Sequence, residues 1–139
     1  MRWIVLDTNV LVSALLFGGS LEPLVSGWKS GSFTLLFSRD TFAEFRKVLN
    51  YPRFALTTPE INALIAEDIL PYCEVVDTGD IPEDIYGVCR DPGDEIFLAC
   101  AVAAGAAAIV SGDKDLFSLA SFRNIPILSV GDFRLILGT

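Results

Sequence analysis

The chain has 139 residues, of which 52% are hydrophobic and 20% are charged, and its formal net charge is −8. This length suffices for one hydrophobic core but not for two ordinary domains, so we expect a single globular domain over residues 1–139. The acidity argues against nucleic-acid binding through a broad basic surface, and the absence of histidine excludes Ser-His-Asp and Cys-His catalysis.

The apolar segments do not predict a membrane protein. The longest apolar stretch, Ile96 to Val110, is shorter than the roughly 18–20 residues that span a bilayer, and Asp7 interrupts the N-terminal apolar run. We therefore expect a soluble cytoplasmic protein without a secretion signal. The three cysteines, Cys73, Cys89 and Cys100, lack the paired spacing of a zinc site and are interpreted as buried free thiols.

The first half of the chain alternates strand and helix patterns. The apolar run Trp3–Leu6 indicates a strand buried in a parallel sheet, and Asp7 would lie at its carboxyl end. Helical spacing over Asn9–Phe17 follows and stops at two glycines. The remaining predicted elements are a helix over Leu21–Trp28, a strand over Phe33–Phe37, a helix over Arg39–Leu49 capped by Ser38, a helix over Ile61–Ile69 that begins at Thr57 or Thr58, and a strand over Cys73–Val76.

The second half opens with a polar segment, Asp77–Asp94, whose glycines and prolines predict a long ordered loop. After it we predict a helix over Glu95–Ala104, a strand over Ala107–Ser111, a short helix over Lys114–Leu119, a strand over Ile125–Ser129 and a helix over Val130–Leu137. This alternation favours an α/β fold with a mainly parallel sheet and helices on both faces.

Several acidic residues fall where such a fold binds ligands. Open parallel sheets bind at the carboxyl ends of their strands, where Asp7 and Asp113 are predicted to lie. Glu44, on the helix after the second strand, and Asp94, at the start of the apolar helix, reach the same crevice if the connections are short. Clustered carboxylates repel one another unless cations neutralise them, so this set predicts a hard divalent metal such as Mg²⁺ or Mn²⁺.

Each acid also has an ordinary structural interpretation. Asp94 and Asp113 precede helices, where carboxylates commonly cap free N–H groups, and Glu44 taken alone resembles a solvated surface acid. Asp7 is harder to explain in this way, because an acid that ends a buried strand is desolvated. The hypothesis of a metal site therefore depends on the set.

Four segments in order along the chain carry a resemblance to a known family: 6–10 (LDTNV), 38–45 (SRDTFAEF), 91–101 (DPGDEIFLACA) and 111–116 (SGDKDL). They resemble the PIN-domain ribonucleases, which include the VapC-type toxins of bacterial and archaeal toxin–antitoxin pairs. The resemblance implies a PIN-like three-layer α/β/α fold and a ribonuclease dependent on Mg²⁺ or Mn²⁺. It also implies an RNA substrate, a possible cognate antitoxin and a homodimer.

By the same resemblance, Asp7, Glu44, Asp94 and Asp113 look like the metal-coordinating acids of the family. Asp115 is an expected auxiliary ligand, and Asn9 and Ser111 are expected to be supporting polar groups. The alternative that Asp91 or Glu95 shares the role of Asp94 stays open.

Basic and aromatic residues supply further candidates for RNA contacts. The basic candidates are Arg39, Arg46, Lys47, Arg53 and Lys114. The aromatic candidates are Phe42, Phe45, Phe97, Phe117 and Phe122. Helical periodicity favours core packing for these phenylalanines, and solvent exposure is the simpler interpretation of the isolated charges.

Two other functions fit parts of the pattern. A phosphatase of the haloacid-dehalogenase type would use Asp7 as a covalent nucleophile, but that pattern has a second acid at the position of Asn9. A receiver-like or protein-binding module would hold a structural Mg²⁺ through the same acids without cleaving RNA.

Overall fold

A six-stranded sheet forms the centre of the computed structural model, which describes residues 2–138. The strands are β1 (Trp3–Leu6), β2 (Thr34–Ser38), β3 (Cys73–Val76), β4 (Ala108–Val110), β5 (Ser121–Phe122) and β6 (Ile125–Leu128), in the order β3-β2-β1-β4-β6-β5. All neighbouring pairs are parallel except β5 and β6. The mainly parallel sheet is confirmed, whereas the ends of the domain predicted over 1–139, Met1 and Thr139, lie outside the described residues.

Helices follow most strands, as predicted. They are α1 (Thr8–Phe17), α2 (Glu22–Ser30), α3 (Arg39–Leu49), α4 (Thr58–Leu64), α5 (Glu95–Ala104), α6 (Lys114–Phe117) and α7 (Val130–Leu137). Ser38 caps α3 as predicted, and its hydroxyl accepts from the backbone N–H of Thr41. At α4 the cap is Thr57, whose hydroxyl accepts from the N–H of Glu60 while the Glu60 carboxylate accepts from the Thr57 N–H.

The buried residues form two clusters, one on each face of the sheet. Because side chains alternate along a strand, Ile4 and Leu6 of β1 pack on one face and Val5 on the other. The first cluster includes residues of α1, α2, α3, α4 and α7, and the second includes residues of α5 and α6. The three-layer α/β/α arrangement follows from this packing.

Two stretches differ from the predicted elements. The helix predicted over Ile61–Ile69 begins at Thr58, one of the two predicted starts, but it ends as a π-helical segment over Ile65–Ile69. Strand β5 was not predicted; it pairs with β6 through a tight turn in which both Arg123 and Asn124 have positive φ, 47° and 64°. Arginine is uncommon in this left-handed conformation, so the sequence gives little signal for the hairpin.

The three cysteines are free thiols. Cys89 and Cys100 are buried as expected, while Cys73 is only half buried. Burial raises the pKa of both Cys89 and Cys100 to about 11, so these thiols are protonated and unreactive near neutral pH.

Within residues 2–138, no single helix has the length and apolar composition needed to cross a membrane. Helix α1 and the segment Gly19–Ser30 meet those criteria only as a pair, and they are bent by 109°.

Candidate active site

One cavity of about 210 Å³ is lined by all four acids predicted to act together: Asp7, Glu44, Asp94 and Asp113. Asp7 directly follows β1, and Asp113 lies just beyond β4, so both stand at the carboxyl edge of the sheet. Glu44 lies within α3, and Asp94 ends a 3₁₀ turn over Pro92–Asp94 that leads into α5. The fold therefore brings together acids that are far apart in the chain.

Asp7 is the most deeply placed of these acids, with 5% of its surface exposed. Its Oδ1 accepts from the backbone N–H of Val10 at 2.9 Å, which caps α1, and its Oδ2 accepts from the hydroxyl of Ser111. Burial raises the pKa of Asp7 above its ordinary value, and the hydrogen bonds from Ser111 and Val10 partly oppose that rise. Both carboxylate oxygens thus have fixed partners before any ligand arrives.

Ser111 connects two of the acids. It is fully buried, donates to Asp7, and its Oγ accepts from the backbone N–H of Asp113 at 2.9 Å. The Asp113 carboxylate in turn accepts from the N–H of Asp115 at 2.9 Å and caps α6. Ser111, expected from the sequence to be a supporting polar group, lies behind the cavity and contacts both Asp7 and the backbone of Asp113.

Asp94 and Asp113 interact directly across the cavity. Burial of Asp94 and the nearby charge of Asp113, together with a hydrogen bond between the two side chains, raise the pKa of Asp94 from 3.8 to about 7. Asp91 and Asp7 add smaller repulsions of the same sign. Near neutral pH Asp94 therefore holds a proton in part of the cation-free molecules, and this proton relieves the repulsion that a bound cation would otherwise relieve.

The remaining predicted residues divide into two groups. Asn9 is exposed and lines the cavity, as does Asp91, whose carboxylate accepts from the N–H of Gly93. Asp115 does not line it; its side chain is exposed and pairs with Arg90, with 3.6 Å between Oδ1 and Nη1.

Glu95 also lies outside the cavity. Its buried carboxylate accepts from the backbone N–H of Gly87 at 3.2 Å and so holds the preceding loop. Asp91 and Glu95 are the two alternatives to Asp94. Of these two, Asp91 lines the cavity and Glu95 does not.

The cavity has the donor chemistry of a site for a hard divalent cation. Its acids and hydroxyl supply only oxygen atoms, the ligands that Mg²⁺ and Mn²⁺ prefer. The hydroxyl of Thr8, which also lines the cavity, is buried and lacks a hydrogen-bond partner in the described structure. Over residues 2–138, however, no three acidic or cysteine side chains stand close enough to form a ready-made ion site, so cation binding requires carboxylate side chains to rotate inward.

Sequence reasoning did not single out Thr8. Its position beside Asp7 in the first motif is the signal that points to it.

Comparison with known proteins agrees with this architecture. A family model described as "PIN domain" matches residues 3–115. Among solved structures, a chain of VapBC2 from Rickettsia felis bound to a promoter DNA fragment is similar, with a TM-score of 0.63 and 17% identity, over 92% of this chain and 98% of that one. A chain of DNA-bound VapBC from Salmonella typhimurium has a TM-score of 0.64 and 19% identity, over 93% and 98% of the two chains.

A third similar structure is VapC20 from Mycobacterium tuberculosis, described as a sarcin-ricin loop cleaving toxin. Its TM-score is 0.57 at 17% identity, over 88% of this chain and 98% of that one. At such identities the likeness concerns the fold. No curated protein matches the sequence at a significant level.

Proposed function

Because the chain belongs to the PIN-domain family, we propose that it is a ribonuclease that hydrolyses RNA phosphodiester bonds with Mg²⁺ or Mn²⁺ held by Asp7, Glu44, Asp94 and Asp113. The observation that carries this proposal is the shared cavity of the four acids at the carboxyl edge of the sheet. A divalent cation in that cavity would activate a water as nucleophile and neutralise charge that develops on the phosphate.

The chain's own residues prepare the site for this role. Ser111 fixes Asp7 and the backbone of Asp113, so two of the four acids are held in place by the fold. Burial and the nearby charge of Asp113 raise the pKa of Asp94 to about 7, so a cation that binds this carboxylate would displace the proton that Asp94 holds in part of the molecules near neutral pH. Glu44 lines the same cavity from α3 and would supply a further oxygen donor.

The residue two positions after Asp7 argues against a phosphatase with a covalent aspartyl intermediate. The haloacid-dehalogenase pattern has a second acid there, but this chain has Asn9, which lines the cavity. That pattern also leaves Glu44 and Asp94 without a role, although both line the same cavity as Asp7.

The family also suggests a biological role. Two similar structures are described as VapBC complexes bound to DNA. We propose that this chain is the toxin of such a pair and that an antitoxin places a basic residue against the acids of the cavity. The expected homodimer and cytoplasmic location are part of the same proposal.

Cleavage of a structured RNA by the purified chain tests the enzymatic role. We expect cleavage with Mn²⁺ or Mg²⁺ and none in EDTA. Asp7→Asn and Asp113→Asn should each lower the rate at least about a hundredfold, as the loss of one electrostatic stabiliser commonly does. Asp115→Asn is the matched control, because this acid lies outside the cavity and should change the rate little.

The same experiment separates the alternatives. Cleavage that persists in EDTA, or in the Asp7→Asn variant, would contradict the proposal. Metal binding without any RNA cleavage would indicate a non-catalytic module, and a trapped aspartyl-phosphate on Asp7 would indicate a phosphatase.

A further inference from the structure

A second cavity, of about 460 Å³, opens beside the acidic one. It is lined by Asn9, Val12, Ser13, Phe17, Arg53 and Phe54. Asn9 lines both cavities. The two cavities therefore adjoin at Asn9, so a chain-like ligand that has one group at the acids can extend toward the second cavity.

Exposed aromatic surface dominates this second cavity. Phe17, the last residue of α1, is 70% exposed. Its ring lies 6.1 Å from that of Phe54, centroid to centroid, with an interplanar angle of 49°. Singly exposed apolar side chains are common on protein surfaces, but this ring contacts a second ring at a cavity, and its solvent-facing side is available for stacking.

Arg53 lies in the same cavity and is held by two aromatic rings. Its guanidinium carbon is 4.9 Å from the ring centroid of Phe54 and 5.6 Å from that of Tyr51, which is cation–π distance. Within the part of the chain that the structure describes, Arg53 forms no ion pair. In a chain of net charge −8, an oriented and unneutralised guanidinium next to an acidic cavity is suited to an anionic ligand.

We propose that Phe17, Tyr51, Arg53 and Phe54, here called the Phe17–Arg53 surface, bind single-stranded RNA beside the phosphate that is cut. Phe17 stacks on one base, and Arg53 contacts a neighbouring phosphate. An unpaired strand is required because a paired base has no free face for an exposed ring. This inference rests on the proposed ribonuclease function and extends it by naming residues outside the acidic cavity that would hold the RNA.

RNA binding measured apart from cleavage tests the inference. The probe is a labelled single-stranded RNA of about 12 nucleotides, titrated with protein in Mn²⁺ and followed by fluorescence anisotropy. An Asp7→Asn background keeps the RNA intact. We expect Phe17→Ala to weaken binding about fivefold to a hundredfold, the usual effect of losing a base-stacking aromatic.

Arg53→Ala should weaken binding and should also reduce the slope of log affinity against log salt by about 0.7, as expected for one phosphate contact on a single strand. Two matched controls should bind like the parent protein. Leu135→Ala removes an apolar side chain of similar exposure, 75%, from α7. Arg2→Ala removes an exposed arginine from the opposite edge of the sheet, just before β1.

Equal RNA affinity of Phe17→Ala, Arg53→Ala and the parent protein would overturn the inference, as would equally tight binding of a duplex of the same sequence. If these variants keep RNA affinity but lose self-association or binding of an antitoxin, the surface is a protein interface, and the inference is rejected. The result is independent of the proposed function, because RNA binding is scored whether or not the native chain cleaves RNA.

Discussion

Replacement of Asp94 by Asn should stabilise the cation-free chain above neutral pH, even though it should weaken cation binding. Asp94 shares a cavity with four other acids and contacts Asp113 directly. An Asn side chain has nearly the shape of a protonated Asp and carries no charge. It therefore removes the electrostatic repulsion while keeping the side-chain volume.

The size of this stabilisation and its pH dependence follow from the pKa of Asp94, which rises from 3.8 to about 7 in the folded chain. Because the folded chain holds this proton more tightly than the unfolded chain, protonation stabilises the fold. That contribution is fully present below pH 3.8 and is lost as the pH rises through about 7. Without screening by water, this contribution to the free energy of unfolding would be roughly 4 kcal/mol. Asp94 is partly exposed, so screening by water reduces the expected effect to about 1–2 kcal/mol, or roughly 3–8 °C in Tm.

Thermal unfolding followed by circular dichroism measures this effect. In EDTA, Asp94→Asn should melt above the parent chain at about pH 8.5 and close to it at about pH 5. Added Mn²⁺ should raise the Tm of the parent chain more than that of the variant, since ligand binding stabilises the folded state. Asp80→Asn, which changes an exposed acid of the loop, is the control and should shift Tm little. A variant that melts below the parent chain in EDTA at high pH, or a gap of the same size at both pH values, would refute the reasoning.

Three further substitutions test other features. Ser111→Ala should cost about 1–3 kcal/mol in urea unfolding, because the buried Asp7 carboxylate loses a donor; unchanged stability would contradict the bridging role. Glu95→Gln should leave RNA cleavage nearly unchanged, because this acid lies outside the cavity; a large loss of kcat would reassign it. Gly27→Ala should lower the unfolding free energy by about 1–3 kcal/mol, because the new Cβ would lie 2.8 Å from a ring carbon of the buried Phe33; a neutral result would show that the ring can move.

The sequence was informative where a pattern repeats over several residues. The apolar run of β1 that stops at Asp7 predicted both a buried strand and an acid at its carboxyl end, and the structure has both. Helical spacing located α1, α3 and α5 to within one residue at each end. Because parallel strands end at the same edge, these elements also predicted that Asp7 and Asp113 would meet.

The direction of individual side chains near a helix start was not predictable in the same way. Asp94 and Glu95 are adjacent in the chain, yet one faces the cavity and the other turns away to hold Gly87. Likewise, Asp113 lines the cavity, whereas Asp115 lies outside it and pairs with Arg90. Helical geometry turns each successive residue by about 100°, so a shift of one position in the helix start decides which acid faces the cavity.

The stability of the chain and its proposed chemistry depend on the same electrostatic repulsion. Ser111 holds Asp7 in place across a sequence separation of 104 residues, and it also fixes the backbone of Asp113, so neither acid is free to move away from the other. The negative charges of Asp7 and Asp113 therefore add to the effect of burial on Asp94, which is partly exposed. They raise its pKa, so that Asp94 keeps a proton. A cation that replaces this proton would relieve the repulsion between the acids, so the arrangement that destabilises the fold without a cation favours cation binding.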